Sequence, residues 1–289
     1  MQEIAPKIYI ETGFPGVTLG AINWPHGLIL IDAPFRAEDA RSWRSALLNL
    51  GGGVDRILIN LDDHLDRVIG VRNMDCTVVA HASIAENICA RPATFRPQPV
   101  GSGAEWEQFG GLGTVRWALP EISFNQQLEI YWDTETNPLL LQHHPGPSYG
   151  SIWAILPEHQ VIFIGDAVTP GEPPFLECAD LPAWIKSIER LSSDEFNTHV
   201  MISSRSGVIH ASDLKAQHAY LTLLHDRMEA LARQKAAPEK TESLIPELLK
   251  EFHFSPEKEI LHQQRLAYGL RQYYTRTYLH TSADPGFVN

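Results

Sequence analysis

Cysteine is scarce in this sequence. Its three cysteines, Cys76, Cys89 and Cys178, are odd in number and form no CxxC pair. That excludes a disulfide framework and a thiolate zinc site. Long apolar runs are missing too: stretches such as Leu28–Ile31 are far too short to span a bilayer. Met1–Ile10 contains Glu3 and Lys7 and has no apolar core, so no signal peptide is expected. Basic residues are in the minority, 23 Lys and Arg against 35 Asp and Glu, for a formal charge of −12 at pH 7. A binder of nucleic-acid backbone needs the opposite balance. Several signatures are also lacking: a GxGxxG turn from strand to helix, GxxxxGK[ST], a GxSxG elbow and EF-hand spacing. The glycines Gly110–Gly113 read as loop punctuation. The expectation is a soluble, cytoplasmic globular protein with neither a nucleic acid nor a membrane as partner.

What is present supports a folded protein. The 289 residues are 44% hydrophobic, enough for one or two domains with a substantial core. Charged residues at 20% with plentiful aromatics exclude wholesale disorder. The 13 histidines hint at metal chemistry, a hint to be tested position by position.

The N-terminal third reads as strands at Lys7–Thr12, Val17–Trp24 and Leu28–Asp32, then a helix over Ala37–Asn49 stopped by Gly51–Gly53. Arg56–Asn60 and Thr77–Ala80 are compact strands on either side of the polar stretch Asp62–Arg67, and Ile84–Ala90 reads as helix. Pro92–Gly113 is a Pro- and Gly-rich surface excursion. A second strand-rich stretch follows at Leu128–Trp132, Pro138–Gln142, Ser151–Leu156 and Gln160–Ile164. Helices are expected at Leu181–Leu191 and Ser212–Gln234, with a strand at His199–Ser203 between them. Beyond a polar hinge at Ala236–Thr241, Leu244–Phe252 and Pro256–Leu279 read as helices, the second opened by Ser255 as N-cap and Pro256 at the first helical position. Two strand-rich halves, each followed by helices, predict an α/β protein of the layered αβ/βα sandwich type.

Four segments carry a more specific message: Ile29–Asp32, Leu58–Gly70, the pair Pro145–Ser151 and Val161–Asp166, and Val200–Gly207. In order and spacing they resemble the signature segments of the metallo-β-lactamase superfamily over roughly residues 5–230. The resemblance implies that superfamily's four-layer αβ/βα sandwich, here with a C-terminal helical extension. In that superfamily the second segment reads HxHxDH, and two further histidines and a bridging Asp complete a site for two metal ions, usually zinc or iron. Neutral imidazole and carboxylate suit a divalent ion, and two such ions make hydroxide available at neutral pH.

Carried over residue by residue, the pattern is only partly kept. The first His position holds Asp62, the second keeps His64, and the Asp position keeps Asp66 as a vestigial general-base or metal position. The following His is replaced by Arg67, the loop His by Pro147, the bridging Asp is kept as Asp166, and the final His is replaced by Arg205. Asp66 and Asp166 against Arg67 and Arg205 sum to zero charge, so an ion-pair cluster can take the place of the second metal. Asp62, His64 and Asp166 are the remaining candidates for one weakly bound divalent ion, zinc or iron; the competing reading is a hydrogen-bonded remnant with no cofactor. His143 and His144 lie a few residues upstream and are expected at a strand end.

Other candidates are weaker. Ser203, Ser204, Ser206 and His210 lack an elbow motif, Cys178 lacks a Cys–His motif, and Trp106, Trp117 and Trp132 read as core or loop anchors. The chain is expected to divide into a metallo-β-lactamase-like domain at 1–235 and a helical appendage at 236–289. That appendage, with His225-Asp226-Arg227 in the helix before it, resembles those of some nuclease- and thioesterase-related members of the superfamily. A flap on the sandwich or a homodimer contact is its expected role.

Three functions follow. The leading one is a hydrolase-like protein with a degraded two-metal site and little or no metal-dependent hydrolysis. The second is a mononuclear hydrolase of thioesters, lactones or phosphodiesters using Asp62, His64 and Asp166. The third is a non-catalytic module binding a small anion through Arg67 and Arg205. Substrate choice is expected to lie in the loops Pro92–Gly113 and Thr169–Ala179.

Overall fold

The computed structural model describes residues 1–131 and 137–279. Strands β1 (Gln2–Ala5), β2 (Ile8–Glu11), β3 (Leu19–Trp24) and β4 (Gly27–Ile31) form an antiparallel meander. Helix α1 (Ala37–Leu47) crosses to β5 (Asp55–Ile59), which pairs parallel with β4. The short helix α2 (Leu65–Val68) leads to β6 (Thr77–His81) and α3 (Ala82–Ala90). A small ribbon of β7 (Thr94–Phe95) and β8 (Val115–Arg116) precedes β9 (Ile122–Phe124), and the first sheet runs β1-β2-β3-β4-β5-β6-β9.

The second sheet has the order β10 (Gln127–Ile130), β11 (Leu139–His143), β12 (Ile152–Leu156), β13 (Val161–Phe163), β14 (Val200–Ser203) and β15 (Gly207–Ile209). Helix α4 (Leu181–Leu191) joins β13 to β14, which pair parallel, and α5 (Ala211–Arg233), α6 (Ile245–Leu249) and α7 (Pro256–Tyr274) follow.

The two-residue period of a strand builds the layers. In β4, Ile29 and Ile31 face the second sheet and meet Leu141, Ile152 and Phe163 in the inter-sheet core. Leu28 and Leu30, on the other face, pack against Trp43 and Leu47 of α1. In β12, Ile152, Ala154 and Leu156 face inward, while Trp153 and Ile155 meet Trp184 and Ile188 of α4. Helices on both outer faces and two sheets between them give the αβ/βα sandwich. Leu266, Leu270, Tyr273 and Tyr274 of α7 belong to the same apolar cluster as α4 and α5. No helix among the described residues is long and apolar enough to cross a membrane.

Most expected elements are present with ends shifted by one or two residues. The polar stretch after β5 hides α2, whose single turn is too short to show a periodicity. The weakly apolar edge strands β1, β9 and β15 were not expected. The strand expected over Leu128–Trp132 ends at Ile130, and Trp132 lies outside the described residues, as do positions 280–289 of the appendage. Ser255 has the extended conformation of an N-cap, but its side chain makes no capping bond.

The close approach of α2 to the chain after β4 rests on Gly70. A Cβ there would collide with the Pro34 carbonyl oxygen and meet the Phe35 Cα at 3.1 Å. Gly70→Ala should therefore destabilise the fold by about 1–3 kcal/mol, read as a lower denaturation midpoint. An unchanged midpoint would show that this contact does not constrain the segment.

Candidate functional site

The residues singled out by the sequence meet at the carboxyl ends of β4, β5, β13 and β14, the edge where open α/β sheets place their chemistry. Asp32 ends β4 in a left-handed conformation (φ 57°), and its carboxylate accepts the Leu61 N–H at 3.0 Å and the Ser204 hydroxyl at 3.1 Å. This ties the loop after β5 and the turn after β14 to one side chain. Asp62 accepts the His64 N–H at 2.9 Å, and His64 in turn caps α2 by accepting the Asp66 N–H on Nδ1 at 3.3 Å. The turn of α2 then throws Arg67 back into the interior.

Arg67 is completely buried and sits between two carboxylates. Its Nε donates to Asp62 Oδ1 at 3.0 Å and its Nη2 to Asp62 Oδ2. Its Nη1 and Nη2 donate to Asp166 at 3.0 and 2.8 Å. Asp32 Oδ2 stands 3.6 Å from Nε. The guanidinium is thus gripped on two edges, the geometry in which an Arg–carboxylate pair is strongest.

Arg205, on the turn between β14 and β15, forms the second half of the cluster. Nε donates to Asp166 at 3.0 Å, Nη1 to Asp66 at 3.2 Å and to the Gly16 carbonyl at 3.3 Å, and Nη2 lies 3.1 Å from His64 Nδ1. Gly16 has φ 70°, and a Cβ there would press on Glu105 and Asp66, so only glycine brings its carbonyl so close. The Phe175 ring is covered by Arg205 at 4.4 Å and by Arg265 of α7 at 4.1 Å. Asp66 also accepts the main-chain N–H groups of Glu105 and Trp106 at 3.2 and 2.8 Å, pinning the long excursion to the cluster.

The cluster is larger than the expected set of Asp66, Asp166, Arg67 and Arg205. Arg67 engages Asp62 and Asp166 rather than Asp66, and Asp32 joins as a fourth carboxyl. Four carboxyls face two guanidiniums. Burial alone would raise Asp166, but Arg205 and Arg67 outweigh it and hold it well below the usual carboxylate range. Burial raises Asp32 and Asp62 despite the attraction of Arg67. Burial, then Arg205 and Arg67, hold His64 well below an ordinary histidine, so it stays neutral with Nδ1 as acceptor.

These residues do not fit a divalent ion in this arrangement. Metal ligation needs carboxylate and imidazole lone pairs aimed at one point. Here those of Asp62 and Asp166 accept the N–H groups of Arg67, and Nδ1 of His64 faces the Asp66 N–H and Arg205. Among the described residues, no group of three or more His, Cys, Asp or Glu side chains is arranged to hold a metal. His143 and His144 do not reach the site. His143 stacks on His81 at 4.0 Å and His144 on Trp153 at 3.5 Å. Nor are Arg67 and Arg205 open to an outside anion, with side chains 0% and 2% exposed and every donor nitrogen engaged.

A cavity of about 210 Å³ opens beside the cluster, lined by Asp62, His64, Trp106, Pro147, Asp166 and Phe175; Arg91, Glu177 and Cys178 line it as well. Glu177 Oε2 is buried without a partner among the described residues, and burial pushes the carboxyl up to about 7. Cys178 is exposed overall, yet desolvation and then Glu177 push its thiol up to about 12, the wrong direction for a nucleophile at neutral pH. Ser203 and Ser204 donate to the Val168 carbonyl and to Asp32 and serve the frame. Trp106 and Trp117 are buried anchors, as expected. Sequence reasoning missed Arg91, Glu177 and Arg265, which lie in no motif. Asp32 was quoted in its motif but not assigned to the site.

Two variants test the electrostatics. Arg67→Ala leaves buried Asp62 without its cation and Asp166 with Arg205 alone, and should cost about 3–5 kcal/mol in denaturant unfolding; an unchanged melting curve would remove the cluster from the stability of the fold. Glu177 has a folded-state value above its ordinary 4.5, so its contribution is complete below that pH and is lost as pH rises toward 7. Glu177→Gln lacks this loss. Its stability relative to the wild type should therefore grow by about 1–3 kcal/mol between about pH 5 and pH 8. A difference independent of pH would contradict the raised value.

No protein-family model matches the chain, and no curated protein matches it in sequence. Solved structures do match. The stereoselective inverting sec-alkylsulfatase of a Pseudomonas species aligns with a TM-score of 0.68 at 17% identity, over 98% of this chain and 51% of that one. The chain thus spans about half the length of that enzyme. A metallo-β-lactamase family protein of Thermus thermophilus aligns with a TM-score of 0.64 at 17% identity, covering 95% of this chain and 94% of its own. The metallo-β-lactamase of Pontibacter korlensis gives 0.58 at 17% identity, over 76% and 97%. At such identities the likeness concerns the backbone: the chain has the metallo-β-lactamase fold.

Proposed function

We propose that this is a hydrolase-like protein in which an ion-pair cluster stands where the superfamily's two-metal centre would be, leaving little or no metal-dependent hydrolysis. The observation that carries this reading is the Arg67 guanidinium, buried and bonded on two edges to Asp62 and Asp166. A guanidinium supplies positive charge but has no acceptor lone pair and no open coordination position, so it cannot ionise a bound water as a metal does. An ion entering between Asp62 and Asp166 must first displace Arg67. That strands a buried cation at about 3–5 kcal/mol, set against a binding energy already reduced from the ~10–16 kcal/mol of a full structural zinc site.

The mononuclear alternative through Asp62, His64 and Asp166 meets the same obstacle. An anion-binding role for Arg67 and Arg205 requires donors that are already engaged. The partner in this reading is a small molecule taken up beside the cluster, and the −12 charge disfavours nucleic acid.

Elemental analysis of protein purified without chelator tests the reading. Zinc and iron should each fall far below one equivalent, both as purified and after incubation with either ion and desalting. One equivalent retained by the wild type and lost in His64→Ala would overturn it in favour of the mononuclear hydrolase.

A further inference from the structure

We propose that the cavity beside the cluster binds a small, singly charged oxyanion on an apolar body, with the head group held by the Arg91 guanidinium and the Trp106 indole N–H. This deepens the reading above and rests on it, since it assigns the cavity a ligand recognised by side chains rather than by a metal.

Arg91 follows α3 and lines the cavity. Its Nη1 is buried with no hydrogen-bond partner, and among the described residues no carboxylate lies within ion-pair distance of it. Burial pulls the guanidinium below its ordinary value, outweighing the attraction of Asp63. Its position is nevertheless fixed. It lies 4.8 Å over the Trp117 ring, which stacks on Phe95 at 5.4 Å and donates its own N–H to the Pro92 carbonyl at 3.0 Å. An aromatic platform that holds an unpaired guanidinium at a cavity wall has already met the ordering cost of binding.

Trp106 is 3% exposed, lines the same cavity, and its indole nitrogen has no partner. A buried donor left unmade costs about 1–3 kcal/mol, so two orphan donors on residues lining one cavity point to a ligand that satisfies both. The main-chain N–H of Trp106 is anchored on Asp66 at 2.8 Å, so the ion-pair cluster itself sets where this tryptophan stands.

The surroundings limit the ligand. Arg67 and Arg205 are neutralised by their carboxylates, which leaves Arg91 as the unpaired cation at the cavity among the described residues. Glu177 and Asp63 on the same walls disfavour a second negative charge. Leu65, Pro147 and Phe175 supply the apolar surface. The volume of about 210 Å³ lies below the roughly 300–1,000 Å³ of drug-sized sites, so the body is short. A short-chain carboxylate and a short alkyl sulfate share this chemistry.

Calorimetric titration of the metal-analysed wild type with hexanoate, hexyl sulfate, hexyl phosphate and hexanol tests the site, with and without EDTA. Saturable binding of hexanoate, hexyl sulfate or both is expected, and which of them binds names the source of the head group. Hexanol should not bind, and hexyl phosphate should bind more weakly. Arg91→Gln should weaken the anion about tenfold or more, with Arg91→Lys recovering part of it, and Trp106→Phe should weaken it several-fold. No saturable anion binding by metal-free protein, unchanged affinity in Arg91→Gln or Trp106→Phe, or preference for the phosphate would overturn the proposal and leave the metal-free reading standing. Binding that requires zinc and is abolished by EDTA would overturn both.

Discussion

A single buried guanidinium, that of Arg67, joins the two halves of this site. Asp62 comes from the loop after β5 in the first sheet, and Asp166 from the turn after β13 in the second. Two carboxylates brought this close in a dry interior repel each other and lose their hydration, so they require a cation between them. Arg67 supplies it without the exchangeable coordination sphere of a metal. Arg205 closes the arrangement by linking Asp166 to Asp66, and Asp66 holds the Glu105–Trp106 main chain. The electrostatics of the centre therefore set the shape of the loop that walls the cavity.

The C-terminal helices belong to the same construction. Arg265 of α7 is 1% exposed and donates to the Gly103 and Pro173 carbonyls and to Glu172 at 2.8 Å, while its guanidinium covers the Phe175 ring. Gly103 has φ 71°, and a Cβ there would strike the Arg265 side chain and the Leu261 carbonyl. Helix α7 thus packs directly on the two loops expected to govern ligand choice.

Much of the fold was legible in order and type because it depends on local signals. The compact apolar runs of β4 and β12 and the Gly stop after α1 are written in neighbouring residues. The edge strands β1, β9 and β15 and the single turn α2 were not legible, since their pairing partners and not their own apolarity define them. The site was legible where a motif marked it. Asp62, His64, Asp66, Arg67, Asp166 and Arg205 do converge, but the charge sum left out Asp62 and Asp32, which also face Arg67. A sum has no geometry, and the turn of α2 aims Arg67 at Asp62 and Asp166.

The sequence by itself determined that two arginines, Arg67 and Arg205, stand with His64 among the acidic residues of the segments that resemble the superfamily's motif. Residue identity is enough for that, since an arginine keeps its charge and cannot ligate. The tertiary structure decided which carboxylates each arginine neutralises, that Asp32 joins them, and that Arg91, Trp106 and Glu177 meet at one cavity with polar atoms left unpaired. Those three residues come from the end of a helix, a long excursion and the loop before α4. No sequence spacing relates them, and their proximity exists only once the two sheets have packed.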